Sequence, residues 1–175
     1  DAVLLSRTAL GLQKLLDSFV NFMRDLDLRT NYSKSHIMIV GRRTTKSRRF
    51  QIETHTLTKV DSFPYVDIIF DHNQSWGPLI HNKLINMKRN TAAIRGFAAK
   101  LGKSPVKPIL QIYGAKTVAS VTYGAEIWGY TNHAAILTEE NAFCRRLLGV
   151  AQSRSGESVF HEATTLGPLP MCLGR

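Results

Sequence analysis

The first hydrophobic pattern along the chain is that of a single amphipathic helix. From Leu12 to Leu26, apolar residues recur at intervals of three and four positions, which places them on one helical face. Thr8 precedes this run and belongs to the residue types that cap helix N-termini through a side-chain oxygen. The pattern therefore predicts a helix over residues 9–26 whose apolar face packs on a core.

Short continuous apolar runs on either side of this helix predict strands. Runs of this length between polar residues are typical of buried strands. They lie at residues 2–6, 36–40 and 65–71. Two further short segments, on either side of His55 and Thr56, predict a hairpin. The first 72 residues are thus expected to form a small β-α-β unit with a hairpin.

From Ser75 onwards the spacing is helical. Apolar and small residues alternate at four and three positions from Ile80 to Leu101, which predicts a long helix with one buried seam. Residues 109–128 carry only two charged side chains, so the next helix is expected to be the most buried. The following segment, 133–148, predicts a third helix.

The end of this third helix has two local signals. Arg145 and Arg146 suit the negative end of a helix dipole, and Gly149 suits the left-handed position that often follows a helix. The predicted architecture is therefore α+β, with a small β-α-β and hairpin unit followed by an α-helical bundle. The boundary is expected near residues 72–75.

The charge of the chain points to a polyanionic partner. A formal net charge of +10 and a pI near 10.0 make nucleic acid the leading expectation, with an anionic membrane surface second. No segment is long and apolar enough to predict a membrane span. The only two cysteines, Cys144 and Cys172, do not make a disulfide framework. We therefore expect an intracellular protein, in the cytoplasm or the nucleus.

The positive charge is concentrated in two patches, with three acids and no Lys or Arg between them at residues 61–73. The first patch is a polar turn, and its cations are Arg42, Arg43, Lys46, Arg48 and Arg49. The second patch runs along the predicted long helix, in a stretch that has no acidic residue. Its candidate cations are Lys83, Lys88, Arg89, Arg95, Lys100 and Lys103. Both patches are candidates for binding phosphates, and a solvated outer helix face is the alternative for the second.

Several motifs follow one another along the chain: "DAVLLSRT", "LQKLLDSF", "LRTNYSKSHIMIVG" and "VDSFPYVDIIFD", and then "KPILQIYGAKTVASVTYGAEIWGY" and "FCRRLLGV". Together they resemble the reverse transcriptase of non-LTR (LINE-type) retrotransposons. Their order and spacing carry the resemblance, which covers nearly the whole chain. It implies the C-terminal part of a polymerase palm over 1–72, a helical thumb over 74–150, and the start of a downstream connection region over 151–175.

The resemblance also implies an activity and a set of partners. The parent would be an RNA-directed DNA polymerase, a nucleotidyltransferase, that binds RNA and an RNA–DNA hybrid as template–primer. Its N-terminal fingers and the rest of its palm would lie upstream of the first motif. This chain would hold the template–primer through the thumb and the basic turn.

Two residues correspond to catalytic positions in this resemblance. Asp1 aligns with the second Asp of the catalytic turn and would be a Mg²⁺ ligand, and Lys34 ends an Asn-x-x-Lys motif near the pyrophosphate leaving group. Two-metal phosphoryl transfer needs several placed carboxylates. The chain has at most one of them, so Mg²⁺ is expected in the full-length parent, with no tight binding to this chain and no polymerisation by it alone. A solvated terminus is the alternative for Asp1, and a solvated loop lysine the alternative for Lys34.

A third group would position the primer. Phe63, Tyr65 and Val66 match in part the primer-grip strand of the family, although Asp67 stands where the family has glycine. The alternative is an ordinary core strand. Two other functions stay open for the whole chain: a non-catalytic nucleic-acid-binding module, and an inert relic of a decayed element.

Overall fold

A computed structural model describes residues 2–41, 49–100, 102, 106–131 and 133–150. The chain divides into two compact units, Asp1–Ser75 and Trp76–Arg175. Helices together with small two-stranded sheets make the fold α+β, as predicted. The predicted connection region at 151–175 lies outside the described residues.

The first helix of the first unit follows its local sequence signals. Helix α1 spans Ala9–Asp25, and the hydroxyl oxygen of Thr8 accepts a hydrogen bond from the Gly11 N–H at 3.1 Å. This bond satisfies one of the four N–H groups that a helix leaves unpaired at its start. The predicted helix and its N-cap are confirmed, and the helix ends one residue earlier than predicted.

The first unit has a small core around α1. It consists of the buried side chains of Leu16, Ile37, Phe50, Ile52 and Leu57. The apolar face of the helix is wider than this core, because Leu15 and Phe22 share a stripe of α1 and are 41% and 57% exposed. Leu26, directly after the helix, is 52% exposed. The prediction that the whole apolar face packs on a core is therefore right only in part.

In the described residues of the first unit, the strands form three two-stranded sheets. Their bounds are β1 His36–Ile37, β2 Gln51–Ile52, β3 His55–Thr56, β4 Thr58–Lys59, β5 Ser62–Tyr65 and β6 Ile68–Asp71. Strands β1 and β4 pair in parallel, whereas β2 pairs with β3 and β5 with β6 in antiparallel hairpins.

Four predictions about strands and hairpins need correction. Residues 2–6 form no strand, and the strand predicted at 36–40 is only two residues long. The hairpin predicted around His55 turns two residues earlier, because Ile52 pairs directly with His55. Short apolar runs therefore overestimated the extent of the sheets.

The fourth correction concerns the strand predicted over 65–71. Tyr65 ends β5 and Ile68 begins β6, so the continuous apolar run is in fact a hairpin. Its two turn residues, Val66 and Asp67, have φ values of 49° and 60°. Positive φ at both central positions matches the twist of the flanking strands, which is why two-residue hairpins adopt it.

The described part of the second unit is helical. Its elements are α2 Gly77–Lys100, α3 Val106–Tyr113, a π-helical segment Gly114–Val118, α4 Ala119–Thr122, α5 Ala125–Trp128 and α6 Ala134–Leu148. Helix α6 ends as predicted, with Gly149 in the left-handed region and its N–H bonded to the Arg145 carbonyl. In the described residues of both units, no helix has the length and apolarity needed to cross a bilayer.

The helix predicted over 109–128 is broken into pieces. The π-helical segment interrupts it first, and Gly124, with φ of 71°, separates α4 from α5. Its predicted burial holds, since Leu110, Tyr113 and Trp128 are all at most 1% exposed. The long helix α2 buries Met87, Thr91 and Ile94, as well as Leu79 and Lys83 near its N-terminus.

Candidate nucleic-acid interface

Four of the predicted cations of α2 lie on its solvent-exposed side. Lys88 and Arg95 are two turns apart along one flank, and Arg89 and Lys100 are three turns apart along the other. All four are exposed, whereas the opposite side of the helix is buried. We call these four residues the α2 cation face.

The α2 cation face is not neutralised by its own helix. Residues 74–110 contain no Asp or Glu. Between the two flanks lie the exposed residues Ile85, Ala92 and Gly96, and two of these three have small side chains. A flat strip bordered by cations therefore runs along the helix, and a chain of phosphates can approach it without meeting a carboxylate of α2.

Lys83 does not belong to this face, and its assignment to nucleic-acid binding is corrected. Only 6% of the residue is exposed. Its Nζ donates hydrogen bonds to the carbonyl oxygens of Ser120 at 3.2 Å and Tyr123 at 3.0 Å. The ammonium group also lies 5.2 Å from the centre of the Trp128 ring, within the range of a cation–π contact.

The break at Gly124 explains why a lysine is buried here. Because α4 stops at Thr122, the carbonyls of its last turn have no helical N–H to bind. The ammonium of Lys83 satisfies two carbonyls in this region, and the indole N–H of Trp128 donates to the Tyr123 carbonyl at 3.2 Å. Lys83 therefore ties α2 to the broken helix instead of contacting a ligand.

Replacing Lys83 with methionine is expected to destabilise the helical unit by about 2 kcal/mol, because two charged, part-buried hydrogen bonds to carbonyls are lost. The measurement is urea unfolding followed by tryptophan fluorescence. The matched control is Lys107→Met, which removes an exposed lysine of α3. Equal unfolding midpoints for the two variants would contradict the structural role of Lys83.

Most of the basic turn lies outside the described residues. Arg49 is described and exposed. The other four cations of the turn lie outside the described residues; they are Arg42, Arg43, Lys46 and Arg48. Lys103 and Asp1 lie outside the described residues as well. Their assignments stay predictions. Among the described ranges, no group of three or more His, Cys, Asp or Glu residues is placed to hold a metal ion.

Lys34 ends a single turn of 3₁₀-helix, Tyr32–Lys34, in the first unit. The side-chain oxygen of Asn31 accepts hydrogen bonds from the Lys34 N–H at 3.2 Å and from the Ser33 hydroxyl at 2.8 Å. The Asn-x-x-Lys spacing thus has a local structural reason, since the asparagine caps the turn that the lysine closes. The Lys34 side chain is exposed, and its catalytic assignment stays a prediction.

The three predicted primer-grip residues share one hairpin. Phe63 and Tyr65 are half-buried on the same face of β5, and Val66 is 53% exposed at the turn. The Phe63 ring packs against His36 with ring centres 5.4 Å apart. Asp67 follows in the left-handed region, a conformation that glycine adopts without strain.

One aromatic pair was not predicted from the sequence. The rings of Tyr32 and His55 stack with centres 4.1 Å apart and planes 6° apart. An open groove beside them is lined by the polar segment 29–33 and by the hairpin residues 54–56. The two rings are far apart in the sequence, so neither periodicity nor motif spacing could have indicated the pair.

The whole chain was compared with protein-family models, curated proteins and solved structures, and none of the three comparisons found a match.

Proposed function

We propose that this chain binds an RNA–DNA hybrid as template–primer, as part of an RNA-directed DNA polymerase similar to those of non-LTR retrotransposons. The observation that carries the proposal is the α2 cation face, four exposed cations on a helix without a carboxylate. The order of the sequence motifs supports the polymerase part of the proposal.

The geometry of the α2 cation face suits contact with a nucleic-acid backbone. From the first cation to the last, the face extends about 18 Å along the helix axis. A duplex carries one phosphate charge per roughly 1.7 Å of its length, so several phosphates lie within reach of this face. Cations of this kind hold a duplex in position without reading its sequence. Contacts that do not depend on sequence suit a polymerase thumb, because the thumb must hold the template–primer whatever its sequence.

The catalytic part of the proposal depends on residues outside this chain. In the proposed arrangement, residues 1–72 complete a palm and residues 74–150 form the thumb. Mg²⁺ would be held by carboxylates of the upstream half of the polymerase together with Asp1, and Lys34 would be near the leaving group. The protein would act inside the cell, in the cytoplasm or the nucleus, where RNA templates are present.

The test is binding of the 175-residue chain to a fluorescein-labelled RNA–DNA hybrid, measured by anisotropy between 50 and 200 mM KCl. Neutralising four phosphates gives a log–log slope of about −3.6, so affinity should fall roughly 100-fold over this range. Absent binding, or binding that does not depend on salt, would contradict the proposal.

A further inference from the structure

The stacked pair of Tyr32 and His55 is held by a set of polar contacts. The Tyr32 hydroxyl donates a hydrogen bond to one carboxylate oxygen of Glu53 at 2.7 Å, and Arg24 pairs with the other oxygen at 3.3 Å. The shared hydrogen bond raises the pKa of Tyr32 and lowers the pKa of Glu53. The tyrosine ring is therefore fixed from its hydroxyl end.

The hairpin that carries His55 has an unusual turn. Glu53 occupies the first turn position with φ of 53°, in the left-handed region that non-glycine residues seldom adopt. Such a conformation is strained and persists where surrounding contacts hold it. The contacts of Glu53 with Tyr32 and Arg24 hold this turn, and the same contacts fix the position of His55 over the tyrosine ring.

The groove beside the two rings has a particular chemistry. Its lining includes one cation, Arg29, and no carboxylate. The remaining lining side chains besides the two rings all carry hydroxyl or amide groups; they are Thr30, Asn31, Ser33, Thr54 and Thr56. A flat ring surface, hydrogen-bonding groups around it and a nearby cation are the three features that recognise a base, its edges and its phosphate.

We propose that the Tyr32–His55 pair is a stacking platform for one unpaired base of a single-stranded nucleic acid, with Arg29 placed for a neighbouring phosphate. The inference rests on the proposed function only in taking nucleic acid as the ligand. It adds a second binding site, in the unit Asp1–Ser75, whereas the α2 cation face belongs to the unit Trp76–Arg175. His55 is exposed, and its ring already continues the stack begun by Tyr32. A base is the third ring of this stack.

The platform discriminates between strands and duplexes. In a duplex, the face of each base is covered by its neighbours, so only an unstacked base can be placed on His55. The α2 cation face has no such preference, because phosphates are accessible in both forms. The platform should therefore bind a single strand but not a duplex, whereas the α2 cation face should bind both.

The experiment uses a twelve-nucleotide oligo-dT with 2-aminopurine in its centre, whose fluorescence is quenched when the base stacks on a ring. We expect quenching by the wild-type chain. His55→Ala should lose the quenching at saturation and weaken strand binding by about 5- to 100-fold, which is the usual effect of removing one stacking ring. His55→Tyr should keep both, because every aromatic face can stack. The matched control is His81→Ala, which removes an exposed histidine of α2.

Several results would overturn the inference. They are an absence of strand binding, full quenching by His55→Ala, and equal losses in His55→Ala and His81→Ala. Tighter binding of 2-aminopurine riboside monophosphate than of the strand would assign the groove to free nucleotides instead. Circular dichroism of His55→Ala and the His55→Tyr variant together separate lost stacking from lost folding.

The failure of this inference is distinguishable from that of the proposed function. His55→Ala should bind the RNA–DNA hybrid as the wild type does. A chain that binds the hybrid but does not quench 2-aminopurine would retain the proposed function and lose the platform. A chain that quenches 2-aminopurine but binds no hybrid would retain the platform and contradict the proposed function.

Discussion

Replacing all four residues of the α2 cation face with glutamine should reduce the salt slope of hybrid binding by between 3 and 4. Each Lys or Arg that neutralises a phosphate contributes about 0.9 to this slope, because it releases condensed counterions. The ratio of the wild-type affinity to the variant affinity should therefore be roughly 100-fold larger at 50 mM than at 200 mM KCl. Single replacements should each lower the slope by about 1.

The control for this variant must remove the same charge elsewhere. Arg7, Lys14, Lys116 and Arg146 are exposed and lie outside the α2 cation face. Their joint replacement by glutamine also removes four positive charges, and it should leave most of the slope unchanged. If both quadruple variants lose the same slope, net charge alone governs binding and α2 has no special place in it.

Buried Lys83 and the four exposed cations differ in how far the sequence alone could predict their place in the candidate interface. The concentration of positive charge and the absence of acids along 74–110 are visible in the sequence, and they led to the four cations that are exposed in the structure. The burial of Lys83 is different, because it depends on carbonyls that become available where α4 stops, about forty residues further along the chain. Helical spacing alone does not contain that information.

The same division between local and distant causes applies to the fold. Thr8 and Gly149 mark helix ends through contacts with residues only a few positions away, and both were predicted correctly. The hairpin turns were missed because Glu53, Val66 and Asp67 adopt positive φ without being glycine or asparagine. The surroundings of these residues, which a propensity does not describe, decide their conformation.

A buried polar cluster in the helical unit leads to the second large effect. Glu140 of α6 is only 2% exposed, and its Oε1 has no hydrogen-bond partner among the described residues. The hydroxyls of Tyr113 and Thr117 in the same core are likewise unpaired within the described part of the chain. Burial raises the pKa of Glu140 to about 7 and that of Cys144 to about 12, and it raises the pKa of Tyr113 further still.

These values predict that the helical unit becomes less stable as pH rises towards neutrality. The pKa of Glu140 is about 7 in the folded unit and 4.5 without burial, so the folded state holds the proton more tightly. This contribution to stability is fully present below pH 4.5 and is lost as pH rises through 7. Its size is about 3 kcal/mol, from 1.36 kcal/mol per pKa unit. Tyr113 and Cys144, which face Glu140, stay protonated throughout this range.

Urea unfolding at pH 5 and pH 7.5, followed by the fluorescence of buried Trp128 in a Trp76→Phe background, measures this difference. Glu140→Gln keeps the shape of the protonated side chain, so it should stay about as stable at pH 7.5 as at pH 5. The exposed Glu126→Gln serves as control and should keep the wild-type pH dependence. Because other groups also affect the pH dependence of stability, the deciding quantity is the difference between the Glu140 and Glu126 variants. If the two variants show the same pH dependence, Glu140 is ionised in the folded unit at neutral pH, and its carboxylate must then have a partner in the core.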